Sequence, residues 1–157
     1  MMNKTVNPKE THALAFRVAK ELITAKKKKK YATVIALYGD LGGGKTTFTQ
    51  GVGRALGVKE TVPSPTFIIE RIYKIKKSFF THFIHIDAYR LENSTELKNI
   101  GWDDIIQSPC NFIMIEWADK VEKSIPKDAI KIYFKTSDEH EHTRHIDIVY
   151  PHAKNNT

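Results

Sequence analysis

The sequence predicts a single α/β domain in which helices flank a mixed parallel and antiparallel sheet. Three observations predict this fold class. A β-rich apolar run at 33–38 leads through a glycine-rich loop into a helical pattern. Two later apolar runs are separated only by residues 74–78, which is too short for a crossover helix and therefore requires antiparallel strands. A chain of 157 residues is most simply one domain.

The first helix is expected from Pro8 to Thr24. Asn7 is a suitable N-cap, proline fits the first helical position, and Glu10 has the spacing of a capping box. One apolar stripe of this helix consists of Leu14, Val18 and Leu22.

Residues 39–46 match the pattern G-x-x-x-x-G-K-[ST], and the segment that follows is helical up to a C-terminal Gly57. Glycines let successive N–H groups converge on phosphate oxygens, Lys45 can reach the β- and γ-phosphates, and Thr46 can ligate Mg²⁺. This order of elements, a strand followed by a glycine loop and a helix, is typical of the P-loop nucleoside triphosphatase fold. The predicted nucleotide-binding residues of the loop are Gly39, Asp40, Leu41, Gly42, Gly43, Gly44, Lys45, Thr46 and Thr47.

The rest of the chain supplies further strands and short helices. The expected elements are antiparallel strands at 66–73 and 79–86, helices at about 94–99 and 103–107, a strand at 112–115 buried on both faces, and a closing hairpin of 130–134 and 145–150. Residues 152–157 are expected to be a disordered tail.

Two acidic residues stand where apolar strands end. Asp87 follows the run 83–86, and Glu116 follows the run 112–115. In an open α/β sheet the strand C-termini line the ligand crevice, and a P-loop needs carboxylates to hold the metal shell and to aim a water. Both are therefore predicted catalytic residues, as is Lys45. The alternative is an exposed acid at a strand end, and spacing leaves open which of the two contacts Mg²⁺.

Three other residues are candidates for the same site. Thr66 ends the segment Ser64-Pro65-Thr66, which lies where many P-loop hydrolases sense the γ-phosphate, so we predict a catalytic role; the alternative is a threonine that starts a strand. Arg144 could offset phosphate charge. Trp117, directly after Glu116, could contact a partner, pack a neighbouring loop or lie in the core.

Composition bounds the function classes. The net charge of +7 permits contact with RNA or an acidic partner, and the lysine run at 26–30 is expected to be a solvated loop. No apolar run approaches the roughly 18 residues of a membrane span, no secretory signal is recognised, and a single cysteine excludes an internal disulfide. A cytoplasmic protein without membrane or DNA partners is expected.

With these motifs in place, the chain resembles the TsaE (YjeE) family, small bacterial ATPases of the tRNA threonylcarbamoyladenosine pathway. Four blocks carry the resemblance in order: the loop 39–51, S-P-T at 64–66, H-x-D-x-Y-R-L at 85–91 and E-W at 116–117. Gly43 stands where the family usually has alanine.

The resemblance implies an enzyme that converts ATP to ADP and phosphate, with low ATPase activity in the absence of its partner proteins. Thr46 and Glu116 would ligate Mg²⁺, Asp87 would shape the hydrolytic site, and Thr11 would contact the adenine side. TsaD and TsaB would be the protein partners. TsaD would transfer the threonylcarbamoyl group to adenosine, and this chain would touch tRNA only indirectly or weakly.

Three alternatives to this ATPase share its P-loop. A non-catalytic nucleotide-dependent scaffold would share every binding motif, and only turnover measurements separate the two. A small P-loop kinase usually needs a lid with several arginines, whereas only Arg144 follows Arg90 here. A regulatory GTPase would carry an N-K-x-D segment, which the sequence lacks.

Overall fold

The computed structural model describes residues 1–25, 29–60, 62–63, 68–76, 78–138 and 140–151. Four expectations fall wholly or partly outside this set. They concern Thr66 with its segment 64–66, the first residues of the strand expected at 66–73, residues 26–28 of the lysine run, and the tail at 152–157.

Seven strands of the described chain form one mixed sheet. They are β1 (Met2–Thr5), β2 (Thr33–Tyr38), β3 (Glu70–Lys74), β4 (His82–Asp87), β5 (Asn111–Glu116), β6 (Ile130–Thr136) and β7 (Arg144–Val149). The order across the sheet is β1-β7-β6-β2-β5-β4-β3. The central strands β6, β2, β5 and β4 run parallel, while β1, β7 and β3 are antiparallel to their neighbours. The predicted mixed sheet is confirmed.

Helices cover both faces of this sheet. They are α1 (Pro8–Thr24), α2 (Lys45–Ala55), α3 (Thr95–Asn99) and α4 (Trp102–Gln107), with 3₁₀ segments at Ala88–Arg90 and Ala118–Ser124. The first two helices pack on one apolar cluster, and the other elements pack on a second cluster across the sheet. None of the helices in the described part of the chain combines the length and the apolar character needed to cross a bilayer.

The start of α1 agrees with its capping signals. Asn7 Oδ1 accepts a hydrogen bond from the Glu10 N–H at 2.9 Å, and Glu10 Oε2 accepts one from the Val6 N–H at 2.9 Å. The first bond satisfies a backbone donor that the first turn leaves without a helical partner, and the second satisfies a donor just before the N-cap. The predicted bounds of this helix are confirmed.

The strands after the P-loop helix differ from their predicted bounds. β3 begins at Glu70, because Ile69 has a left-handed φ of 67° that breaks the extended backbone. β4 begins at His82 and not at 79, and the bond from the Ile75 N–H to the Thr81 carbonyl oxygen, in the same register, closes its pairing with β3 at the connecting turn. β1 was not predicted: it has four residues without apolar alternation and pairs with β7, which is distant in sequence.

Close packing of α1 on α2 depends on Gly51. A Cβ atom added at Gly51 would lie 2.7 Å from the Ala15 Cβ and 2.8 Å from the His12 carbonyl oxygen. A Cβ at Gly53 would meet only side-chain atoms, with Val62 Cγ2 at 3.0 Å as the nearest. A side chain at position 51 would therefore clash more severely than one at position 53.

We expect Gly51→Ala to lower the free energy of unfolding by about 1–3 kcal/mol, because backbone and neighbouring helix must shift to admit the methyl group. Gly53→Ala is the matched control: it lies in the same helix and gains the same helix propensity, but only side-chain atoms and no backbone must move. Urea denaturation of both variants measures the difference. Equal free energies of unfolding for the two variants would show that α1 can move away from α2 without loss of stability.

Candidate nucleotide-binding site

A cavity of about 430 Å³ lies at the carboxyl ends of the parallel strands β2, β4 and β5. Residues 41–47 of the glycine-rich loop line it, together with Thr11, Asp87, Glu116 and Arg144. The sheet therefore brings most of the predicted site residues to one place. Gly39 and Asp40 belong to the same loop but do not line this cavity.

The loop keeps a backbone path that requires glycine. Gly39, Gly42 and Gly44 have φ angles of 138°, 72° and 98°. A Cβ atom at Gly39 would also lie 2.5 Å from the Phe134 carbonyl oxygen, so this position admits no side chain. Gly43 has no positive φ, but its added Cβ would lie 3.0 Å from the Asp40 carbonyl oxygen, so an alanine there would require a small shift of the loop.

Lys45 is a buried cation at the floor of the cavity, with 4% of its surface exposed. Its Nζ donates hydrogen bonds to the carbonyl oxygens of Gly39 at 2.6 Å and Asp40 at 2.7 Å, and lies 3.9 Å from the centroid of the Trp117 ring. Burial lowers the pKa of Lys45, while the carboxylate of Glu116 opposes that shift most strongly. The loop thus holds a positive charge beside the position expected for phosphate oxygens.

Glu116 and Thr46, the two proposed ligands of Mg²⁺, are in direct contact. Thr46 Oγ1 donates to Glu116 Oε2 at 2.9 Å. The other carboxylate oxygen, Oε1, lies 2.7 Å from His85 Nε2, and both of these side chains are almost fully buried. Glu116 is therefore fixed on both oxygens, with one of them facing the P-loop threonine.

Asp87 lies on the strand next to Glu116. The β4–β5 register pairs these two residues at the strand ends, and Asp87 is 2% exposed. Its Oδ1 accepts a hydrogen bond from the Tyr89 N–H at 3.0 Å, which caps the following 3₁₀ segment. Carboxylate and hydroxyl oxygens of Thr46, Asp87 and Glu116 thus face one cavity, and this all-oxygen donor set fits Mg²⁺.

Thr11 and Arg144 mark another part of the cavity wall. Thr11 lies in the first turn of α1, and its hydroxyl is 2.9 Å from that of Thr5, so it contributes to the wall while its polar atom is already bonded. Arg144 Nε donates to the Gly42 carbonyl oxygen at 3.0 Å, and its Nη1 donates to Thr143 O at 3.0 Å. The arginine therefore supports the glycine loop directly.

Three further residues lie at or beneath the cavity, of which only Trp117 was named as a candidate from the sequence. Trp117 has a left-handed φ of 57° and is partly buried, and its ring lies 4.9 Å from the Tyr89 ring at an interplanar angle of 53°. It therefore packs beside the site and not within the core. His142 reaches the cavity from the β6–β7 connection. The sequence around His85 could have indicated its role, because a histidine between two isoleucines of a buried strand needs a polar partner.

Comparison with known proteins identifies relatives over most of the chain. Residues 5–146 match the family described as "Threonylcarbamoyl adenosine biosynthesis protein TsaE". The tRNA threonylcarbamoyladenosine biosynthesis protein TsaE of Bacillus subtilis is 36% identical over 140 residues, which span 88% of this chain and 79% of that protein. The protein of the same description from Streptomyces coelicolor is 30% identical over 118 residues, which span 73% of this chain and 78% of that protein.

A solved structure agrees with these sequence matches. The crystal structure of YdiB from Bacillus subtilis matches this fold with a TM-score of 0.72 at 29% sequence identity, covering 97% of this chain and 86% of that chain. Since the family match spans nearly the whole chain and the fold agrees, this chain belongs to the TsaE family and has a role in the biosynthesis of threonylcarbamoyladenosine in tRNA.

Proposed function

We propose that this chain binds and hydrolyses ATP with Mg²⁺, and that it acts with TsaB and TsaD to sustain threonylcarbamoyl transfer to tRNA adenosine. The observation that carries the proposal is the contact between Thr46 and Glu116 beside the buried Lys45, at the edge of a glycine-lined cavity. This arrangement provides hydrogen-bond donors for phosphate oxygens, a cation, and oxygen ligands for a metal within one site.

Each part of the site has a distinct task in this proposal. The N–H groups of the loop and the N-terminus of α2 bind the β- and γ-phosphates, and Lys45 neutralises their charge. Thr46 and Glu116 would hold Mg²⁺, which would offset the negative charge of the phosphate oxygens. Asp87 orients a water whose oxygen attacks the γ-phosphorus as the bond to the bridging oxygen breaks. A proton of this water passes to an oxygen of the released phosphate, and the products are ADP and phosphate. Thr66, which lies outside the described residues, is proposed to sense the γ-phosphate.

The surroundings of the cavity favour dependence on partners. Among the described residues, one arginine, Arg144, lines the cavity. Its guanidinium already donates hydrogen bonds to carbonyl oxygens of the glycine loop and of the β6–β7 hairpin. At the rim, Leu41 is 82% exposed and Tyr89 is 48% exposed, so apolar surface stands free beside the site. We infer that a partner covers this rim and raises a low intrinsic turnover. The family's role in tRNA modification also supports a cytoplasmic location.

The proposal is tested by measuring ATP hydrolysis by the purified chain alone and after addition of TsaB and TsaD. We expect slow hydrolysis alone and a strong rise with both partners, and we expect ATP to compete for the site far better than GTP. Tight ATP binding without turnover in any mixture would instead support the nucleotide-dependent scaffold. Absence of ATP binding would contradict the proposal.

A further inference from the structure

His85 is a fully buried histidine beneath the nucleotide cavity. Strand alternation places it on the same face of β4 as Phe83, which packs in the apolar cluster under α1 and α2. The β4–β5 register pairs His85 with Met114 and Asp87 with Glu116, so His85 is diagonal to Glu116 across the parallel strands. A buried imidazole in this apolar layer requires a polar partner, and Glu116 is that partner.

The contact determines which way the Glu116 carboxylate faces. His85 Nε2 lies 2.7 Å from Oε1, and Thr46 Oγ1 lies 2.9 Å from Oε2. Thr49 Oγ1 is also within 3.3 Å of Oε1, but it is nearer to the Lys45 carbonyl oxygen, at 3.0 Å. A hydroxyl has a single proton to donate, and the helical carbonyl four residues earlier is the closer acceptor. His85 is therefore the principal donor to Oε1.

The second ring nitrogen of His85 is unpaired within the described part of the chain. Nδ1 is buried and has no hydrogen-bond partner among the described residues, so the polar contact of the ring there is the one with Glu116. The neutral tautomer with a proton on Nε2 satisfies this arrangement, because Nε2–H then donates to the carboxylate. Residues that hold a metal ligand in this way commonly affect metal affinity by 10- to 100-fold.

We propose that His85 is a positioning residue for Glu116. Its Nε2–H holds Oε1 and so keeps Oε2 directed toward Thr46, where Mg²⁺ binds with the nucleotide. This inference rests on the proposed function, because it concerns the same magnesium site. It adds a residue that touches neither nucleotide nor metal and acts only by fixing the direction of a ligand.

The experiment compares His85→Leu, which removes the donor, with His85→Gln, whose side-chain amide nitrogen takes the place of Nε2. The affinity of each for the non-hydrolysable analogue AMP-PNP is measured by calorimetry, once with Mg²⁺ and once with EDTA. We expect His85→Leu to lose about tenfold or more of the affinity gained with Mg²⁺, while the value in EDTA stays within about twofold. His85→Gln is expected to keep most of the gain.

Two controls separate positioning from a general structural role. Thermal melting shows whether each variant is folded, and His85→Asn, whose amide is too short to reach Glu116, replaces His85→Leu if the latter is unfolded. Thr49→Val removes the weaker contact and is expected to cost less of the gain than His85→Leu.

The outcomes distinguish this inference from the proposed function. A wild-type protein that binds AMP-PNP equally with and without Mg²⁺ would overturn the magnesium site itself, and the role of His85 with it. A normal wild-type gain that survives in His85→Leu would overturn only the role of His85. Equal losses with Mg²⁺ and with EDTA would likewise overturn it, because they would show a structural effect on the whole loop.

Discussion

Replacing Lys45 by alanine is expected to weaken ATP binding roughly 10- to 100-fold, and to lower turnover in the presence of partners by roughly 100- to 1000-fold. The binding loss follows from removing a charged donor of hydrogen bonds to phosphate oxygens. The larger loss in turnover follows because the charge on these oxygens changes during the reaction, so a fixed cation stabilises the transition state more than the bound substrate.

The fold is expected to survive this substitution. The ammonium group of Lys45 donates hydrogen bonds to two loop carbonyl oxygens, but burial disfavours its charge. Removing it therefore relieves the desolvation penalty of a buried charge as well as breaking two hydrogen bonds. Calorimetry measures the affinity and thermal melting measures the stability. Lys20→Ala, on the exposed side of α1, removes one positive charge away from the cavity and serves as the matched control. Similar ATP affinities for the two variants would contradict the role given to Lys45.

Replacing Glu116 by glutamine is expected to reduce ATP hydrolysis at least about 100-fold, with a much smaller effect on nucleotide binding in EDTA. Glutamine keeps the shape of the side chain and can still contact Thr46 and His85, but it lacks the negative charge that Mg²⁺ prefers in a ligand. The loss should therefore appear as a weaker Mg²⁺ dependence of both binding and turnover.

Titration of hydrolysis against Mg²⁺ concentration measures this effect. Asp103→Asn is a suitable control, because it removes one exposed carboxylate on α4, which packs on the cluster across the sheet from the P-loop helix. A Glu116→Gln protein with the wild-type Mg²⁺ dependence would show that the metal is held by other groups. Asp87 would then be the first carboxylate to test, since it lies on the adjacent strand at the same cavity.

Local signals in the sequence were sufficient for the elements nearest the site. The cap and the first-turn proline defined α1, and the glycine pattern defined the loop and the start of α2. The two apolar runs that end in Asp87 and Glu116 correctly placed both acids at one edge of the sheet, because parallel strands end together. These predictions depend on residues within a few positions of each other.

The remaining features depend on contacts between segments that are distant in sequence. β1 was missed because a short edge strand is defined by its partner β7, and β3 was predicted too early because a left-handed Ile69 cannot be read from an apolar run. The contact between His85 and Glu116 follows from the register of two strands, which spacing alone does not determine.

A nucleotide site that sustains repeated tRNA modification is tested by counting the tRNA molecules modified per TsaD. The reconstituted mixture contains this chain, TsaB, TsaD, ATP, Mg²⁺, tRNA and a threonylcarbamoyl donor. We expect many turnovers with the wild-type chain and no more than about one per TsaD when it is omitted or replaced by Lys45→Ala. Undiminished multiple turnover in either of those mixtures would contradict the account.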